Sequence, residues 1–197
     1  MPSMPSARRG IALIGGPVLA VLFATAVTAG PEGPRHAHGT FVDASGAAIG
    51  WLHLAQDARG VVHVNVQVEG LSPGLHGIHI HAVGSCVAPT FASAGGHYNP
   101  LSHQHGLENP NGPHAGDLPN LIVDEAGHGR LQARTDRVTL TPGTTTLLDG
   151  DGSAFIIHAN QDDQVTDAGN GGSGPRIACA VVVPDEPRPG GSSGSYH

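Results

Sequence analysis

The residues of this chain that are best suited to chemistry are six histidines and one aspartate. Two of them form a His-x-His pair in an apolar run, and two form a His-x-x-Asp pair in a segment rich in glycine and proline. Imidazole nitrogens and carboxylate oxygens are together the ligands of zinc and copper(II). The pattern therefore predicts metal binding by His79, His81, His97, His105, His114, Asp117 and His158.

The number of these ligands favours two metal ions over one. Seven ligands exceed the needs of one tetrahedral ion, whereas two four-coordinate ions need eight positions. Either one coordination position is open or one imidazole is shared by both ions. Chemistry alone assigns the subsets loosely: an all-histidine set suits copper, and a set that includes a carboxylate suits zinc.

Two predicted strands and one long loop must position these ligands. Gly77–His81 alternates apolar residues with histidines, so His79 and His81 would point to one face of a strand, about 6.5–7 Å apart. His158 ends a second apolar run that starts at Ala154. The other four ligands lie in a loop predicted over Ala82–Pro119, and a second long loop is predicted over Ala159–Arg176. Long ordered loops in compact domains are usually functional.

The composition predicts an all-β protein. The chain has 30 glycines and 16 prolines, with only 13% charged residues. Val61–Val68 alternates valine with polar residues, which is typical of a half-buried strand. Eight such segments with turns between them predict an antiparallel sandwich or barrel. They are Thr40–Asp43, Ala48–Leu54, Val61–Val68, Gly77–His81, Asn120–Asp124, Gly129–Thr135, Ala154–His158 and Ile177–Val183.

The first 29 residues have the pattern of an export signal. Arg8 and Arg9 form a positive segment, Ile11–Val27 is apolar, and small residues follow at 27–29. The alternative is an uncleaved membrane anchor. We expect a signal peptide at 1–29, a linker at 30–39, one domain at 40–183 and a disordered tail at 184–197. The mature protein is then periplasmic or extracellular, without a membrane partner.

The charge of the chain argues against nucleic acid or an anionic membrane as a partner. The formal net charge is −7, and there is no lysine. Loss of Arg8 and Arg9 would leave seven arginines against 16 acidic residues, a charge of −9. A surface this acidic repels phosphate groups.

Cys86 and Cys179 are the only cysteines of the chain. In an oxidising compartment such a pair tends to form a disulfide, so we expect one here. The alternative is two free buried thiols.

Several motifs together resemble the copper–zinc superoxide dismutases, in the form of the bacterial exported branch. The matching segments are GLHGIHIH, SAGGHYNP, LSHQHG, PHAGDLPN, LLDGDGSAFIIHA and RIACAVV. They run from about Val66 to Val183 in the family's order. The resemblance implies an eight-stranded antiparallel Greek-key barrel with two long functional loops.

The resemblance also implies a role for each site residue, with one copper and one zinc per chain. His97 would bridge the two metals, Cys86 and Cys179 would form the family disulfide, Arg176 would guide the anion, and Asp162 would link a copper ligand to a zinc ligand. The implied copper ligands are His79, His81, His97 and His158, and the implied zinc ligands are His97, His105, His114 and Asp117.

The implied activity is dismutation of superoxide to O2 and H2O2 by copper that cycles between Cu(II) and Cu(I). His97 would leave the reduced copper and take up a proton, while zinc would be structural. The alternative function is a non-catalytic, buffering copper- and zinc-binding protein of the periplasm. A homodimer is possible. His36 and His38, in the predicted linker, are either a copper-capturing arm or ordinary linker residues.

Overall fold

A computed structural model describes residues 35–186 of the chain. The predicted signal peptide, the start of the predicted linker and the tail from residue 187 onward lie outside the described residues. Between residues 35 and 186, no helix is long and apolar enough to cross a membrane.

Within this range the chain forms ten β-strands and two single-turn 3-10 helices, at Ala92–Ala94 and Asn170–Gly172. The strands are β1 His36–Asp43, β2 Ala48–Gln56, β3 Val62–Val68, β4 Gly74–His76, β5 Ile78–His81, β6 Leu121–Val123, β7 Gly129–Thr135, β8 Ala154–His158, β9 Arg176–Val181 and β10 Val183–Pro184.

Strand β3 shows how the sequence selects these elements. Its four valines are buried, whereas Asn65 and Gln67 between them are exposed. It pairs with β2 on one side and β7 on the other, antiparallel in both cases. A slip of one residue would turn all four valines to solvent, so burial of one face fixes the register of these three strands.

The strands form one antiparallel sheet in the order β4-β6-β7-β3-β2-β1-β9-β8-β5, with β10 paired to β1. The first and last strands of this path, β4 and β5, are separated by Gly77 alone, so the sheet curls into a nearly closed barrel. The predicted all-β antiparallel barrel is confirmed. Ten strands are present instead of eight, because β4 and β10 have only three and two residues and are too short to show an alternating pattern.

Strand β1 corrects the predicted boundary between linker and domain. It begins at His36, inside the segment 30–39 that we expected to be a linker. Ala37, Gly39 and Phe41 are buried, and the residues that alternate with them, among them His36 and His38, are exposed. The pattern was missed because alanine and glycine are weak strand formers. The two histidines are therefore part of the sheet.

Two clusters of apolar residues stabilise the barrel and the loop outside it. Phe41, Leu52, Ile80 and Phe155 are wholly buried members of the large cluster inside the barrel. In the smaller cluster, Phe91 and Ala94 of the first long loop pack with Ala154, Ile156 and Cys179 of β8 and β9. This second cluster seats the loop on the outer face of two strands.

The predicted disulfide between Cys86 and Cys179 is confirmed. The two Cα atoms are 5.7 Å apart, and the bond joins residues 93 positions apart. It attaches the first long loop covalently to β9, beside the smaller apolar cluster.

Replacing both cysteines, Cys86→Ser with Cys179→Ser, should lower the free energy of unfolding. For a loop of 93 residues, the chain-entropy model gives a loss of about 4–5 kcal/mol. Urea unfolding of the metal-free proteins would measure it, with the reduced wild type as the control that should lose a similar amount. Equal midpoints for the double variant and the oxidised wild type would contradict this.

Candidate metal centre

Strand β5 supplies two of the predicted ligands, and it is buried on both faces. Ile78 and Ile80 belong to the cluster inside the barrel. His79 and His81 occupy the opposite face and are also buried, with exposures of 0% and 1%. Because residues i and i+2 of a strand share a face, both imidazoles project outward beneath the loops.

The first long loop lies along the edge of β5 that no named strand covers. Bridges of the antiparallel type pair His79 with Asp117 and His81 with His97. These two isolated bridges place Asp117 and His97 beside the two strand histidines, on the side of β5 opposite β8.

Gly116 lets this loop approach β5 closely. Its carbonyl accepts a hydrogen bond from the backbone N–H of Ile80 at 2.9 Å. A Cβ atom at position 116 would collide with the carbonyl oxygen of Ile80. A glycine is therefore required here if Asp117 is to reach the site.

Four imidazoles converge in a first cluster, where each has one bare nitrogen. These nitrogens are buried, have no hydrogen-bond partner within residues 35–186, and belong to rings whose ligand atoms lie within 4.8 Å of one another. Buried polar atoms normally have a partner, so four bare nitrogens at one point fit a bound cation. An all-imidazole set fits copper. The atoms are Nδ1 of His79 and Nε2 of His81, His97 and His158.

The opposite nitrogens of three of these rings donate hydrogen bonds to the protein. His81 Nδ1 lies 3.0 Å from the carbonyl oxygen of Gly95, and His158 Nδ1 lies 2.9 Å from that of Gly174. His79 Nε2 lies 2.6 Å from Asp162 Oδ2. Donation from one nitrogen fixes the tautomer and leaves the lone pair of the other free for a metal.

A second cluster has the dimensions of a tetrahedral zinc site. Asp117 Oδ1 is 2.9 Å from His105 Nδ1, 3.3 Å from His97 Nδ1 and 3.4 Å from His114 Nδ1. The Nδ1 atoms of His97 and His114 are 3.2 Å apart. Ligands at about 2.0 Å from one tetrahedral ion are separated by about 3.3 Å. The donor set and its spacing therefore fit zinc.

His97 belongs to both clusters, with Nδ1 in the second and Nε2 in the first. This accounts for seven ligands at two four-coordinate ions. By distance alone His79 would also qualify for the second cluster, since its ligand atom lies within 4.8 Å of those of His97, His105 and Asp117. The hydrogen bonds favour His114 instead, because both nitrogens of His79 already have a function: Nε2 is bonded to Asp162, and Nδ1 is bare in the first cluster.

The buried carboxylate of Asp162 connects the two clusters. Besides His79, it contacts His105 Nε2 at 3.1–3.2 Å. Asn120 fixes the backbone of Asp162 through two hydrogen bonds, both of 2.9 Å. Gly171 packs so tightly against the carboxylate that a Cβ atom there would overlap Oδ1. One aspartate thus orients one ligand ring in each cluster.

The first cluster is electrically neutral at ordinary pH. Burial lowers the pKa of His79 to about 3, that of His81 to about 2 and that of His158 to about 4. These imidazoles are therefore unprotonated and able to bind a metal.

Asp117 brings a negative charge into the second cluster. Burial alone would raise the pKa of Asp117, but contacts with His105, His114 and His97 hold it well below the ordinary range. Burial also opposes protonation of His105, yet its hydrogen bonds to Asp117 and Asp162 raise its pKa to about 9. The two carboxylates would stabilise any cation at this point.

Arg176 is the cation beside the first cluster, and it is half-buried. Its Nη1 and Nη2 donate hydrogen bonds of 2.6 Å to the carbonyls of Phe91 and Gly95. Gly95 also accepts the bond from His81. The charge of Arg176 is one cause of the lowered pKa values of His81 and His158.

Sequence reasoning missed four groups that support the ligands. They are Asn120, Arg137, whose Nη2 donates to the carbonyl of Asp117 at 2.6 Å, and the carbonyls of Gly95 and Gly174. Asn120 follows the Asp117-Leu118-Pro119 run directly, and this proximity was the one available signal. Backbone carbonyls leave no signal in a sequence.

Comparisons with known proteins agree with this geometry. A family model described as copper/zinc superoxide dismutase matches residues 48–182. Superoxide dismutase (Cu-Zn) 2 of Aquifex aeolicus is 42% identical over 149 residues, which cover 74% of this chain and 85% of the relative. The superoxide dismutase-like protein YojM of Bacillus subtilis is 40% identical over 148 residues, or 74% of this chain and 75% of the relative.

Two solved structures have the same fold. The crystal structure of a SOD-like protein from Bacillus subtilis aligns with a TM-score of 0.70 and 40% identity, over 73% of this chain and 96% of that one. The Cu/Zn superoxide dismutase from Brucella abortus aligns with a TM-score of 0.61 and 26% identity, over 74% and 98% of the two chains. On the family match and these relatives, the chain belongs to the copper/zinc superoxide dismutase family.

Proposed function

We propose that this protein dismutates superoxide, with one copper ion in the first cluster and one zinc ion in the second. The observation that carries the proposal is the group of four bare nitrogens, from His79, His81, His97 and His158, beside the half-buried cation Arg176. The reaction is 2 O2•− + 2 H+ → O2 + H2O2. When bound, copper supplies the one-electron chemistry, since it can accept an electron from one superoxide and return it to the next.

The protein must then supply protons and hold its ligands still. His97 is suited to proton transfer because its side chain is only 3% exposed and its Nε2 has no hydrogen-bond partner among residues 35–186. The Nδ1 atom lies among the zinc donors, which fixes the ring while Nε2 holds or releases a proton. His79 and His158 keep their orientation through Asp162 and Gly174.

The second cluster has a structural role in this proposal. Its proposed ligands His97, His105, His114 and Asp117 all come from the first long loop, so one zinc ion would cross-link that loop to itself. Because Asp117 and His97 are also bridged to β5, the same ion would fix the loop against the barrel.

Arg176 would bind and orient the anion. Two of its five N–H groups are used by Phe91 and Gly95, which leaves three donors for superoxide. The chain has no lysine and a net charge of −7, so this arginine is the principal attraction for an anion in an otherwise acidic protein. A buffering protein needs no such group, which favours the enzyme over the non-catalytic alternative.

We propose that the protein acts after export, in the periplasm or outside the cell. The Cys86–Cys179 disulfide supports an oxidising compartment. The signal peptide at 1–29 and the possible homodimer remain predictions.

The variant His158→Ala should abolish dismutation while zinc stays bound. Removal of one bare nitrogen opens the first cluster but touches none of the zinc donors. We expect activity to fall at least about a hundredfold. Copper affinity should fall at least as much as it does when a residue that only supports a metal ligand is removed. Superoxide dismutation and the copper and zinc content of the same purified sample would measure it.

His128→Ala is the matched control, because His128 is exposed and its only hydrogen bonds and ion pair within residues 35–186 are with Asp124. It should keep both metals and full activity. A wild type that binds both metals but turns over slowly would support the buffering function. Retention of most activity by His158→Ala would show that copper is bound elsewhere.

The variant Arg176→Ala should lower the second-order rate constant about tenfold and weaken its dependence on salt, as expected when a steering charge is lost. Metal content should not change, since Arg176 contacts no ligand nitrogen. Pulse radiolysis at several ionic strengths would measure both effects. Arg176→Lys should keep most of the salt dependence because the charge remains. Arg134 is an exposed arginine on β7, and Arg134→Ala should change neither the rate constant nor its dependence on salt. An unchanged rate for Arg176→Ala would show that Arg176 does not guide the anion.

A further inference from the structure

The outer face of the barrel carries a second group of histidines, far along the sheet path from β5. His36 and His38 lie on β1, and His53 lies on β2. All three are exposed. The metal centre uses none of them.

The register of β1 and β2 places these histidines together. His38 is directly opposite His53, and His36 is opposite Ala55. Residues directly opposite in an antiparallel pair have Cβ atoms about 4.5–5.5 Å apart on one face, and diagonal neighbours are within reach of long side chains. His36 is the diagonal neighbour of His53. Three imidazoles can therefore meet above one point of the sheet.

An aspartate completes the set. Strand β10 pairs with β1 so that Val183 is opposite His38, and the backbone N–H of Asp185 donates to the carbonyl of His36 at 3.0 Å. Asp185 Oδ1 lies 2.6 Å from His38 Nδ1. Both side chains are about half exposed, at 49% for His38 and 47% for Asp185, so they can rotate.

We propose that this face binds a further metal cation, copper(II) most tightly and zinc more weakly, through His36, His38, His53 and Asp185. Three imidazoles and one carboxylate are donors that both ions accept, and copper(II) is the tighter binder among divalent first-row metals. In the structure the ligand atoms of these four residues do not meet at one point. Among the described residues, the only groups of ligand atoms that already lie close together are those of the metal centre. Closure requires rotation of exposed rings and no change in the backbone. The proposal is independent of the dismutase activity.

A nearby pair provides an internal control. His63 Nε2 contacts Asp57 Oδ2 at 3.1 Å on the same outer face, with similar exposure of 37% and 38%. Opposite His63 are Ala55 on β2 and Arg134 on β7. This pair has one imidazole and one carboxylate with a cationic neighbour, and its nearest second imidazole is the diagonal His53, which lies directly opposite His38 instead. It should bind a metal poorly.

The chain also contains a built-in reporter. Trp51 is its single tryptophan, and its ring is 4.8 Å from that of His53. Copper(II) bound at His53 would quench the fluorescence of Trp51, because the paramagnetic ion would lie next to the indole. Copper in the barrel ligands does not have this contact.

The experiment starts from protein whose copper and zinc content has been measured and whose weakly bound metal has been removed on a chelating resin. Copper(II) is then added in steps at neutral pH, while equilibrium dialysis counts the bound ions and Trp51 fluorescence is recorded. We expect one further equivalent of copper, with quenching that follows its binding. Zinc in excess should compete and reverse the quenching.

His38→Ala and His53→Ala should each weaken this further binding at least about tenfold, in line with the cost of losing groups that support a metal. His63→Ala should bind copper as the wild type does. The proposal is overturned if no further copper binds, or if the binding and quenching persist undiminished in both His38→Ala and His53→Ala.

Discussion

A single constraint organises the centre of this protein: every buried imidazole of the first cluster must keep one nitrogen bare. Burial lowers the pKa values of His79, His81 and His158, so the rings stay neutral. Hydrogen bonds at the far nitrogen then decide which atom carries the proton. The acceptors come from Asp162 and the carbonyls of Gly95 and Gly174, so the second long loop and the first must both be in place.

The barrel makes this arrangement possible because β5 ends the sheet path and leaves one edge uncovered. The first long loop occupies that edge, where Gly116 removes the obstacle of a Cβ atom. The loop thereby holds its candidate ligands against a rigid strand. A strand positions such residues more precisely than a free loop does. The smaller apolar cluster and the disulfide fix the same loop to β8 and β9.

Most of the architecture could be predicted because its strands alternate strongly, as β3 does. The start of β1 could not, since Ala37 and Gly39 face the interior without the bulk that marks a strand. The seven candidate ligands were recognisable by type and spacing, whereas their proposed division between two metals depended on a family resemblance. Hydrogen-bond direction supplies the physical reason for that division at His79 and His114. Asn120 and the supporting carbonyls could not be predicted, because their role comes from tertiary contacts.

The position of Cys179 has a consequence for the order in which the protein assembles. Cys86 is synthesised 93 residues before its partner, and Arg176 lies only three residues before Cys179. Strand β9, which carries both, must pair with β1 at one side and β8 at the other. The disulfide and Arg176 can therefore reach their positions only after β9 has been made, later than all seven candidate ligands, the last of which is His158. All the candidate ligands can thus be present before the covalent bond that holds the first long loop to β9.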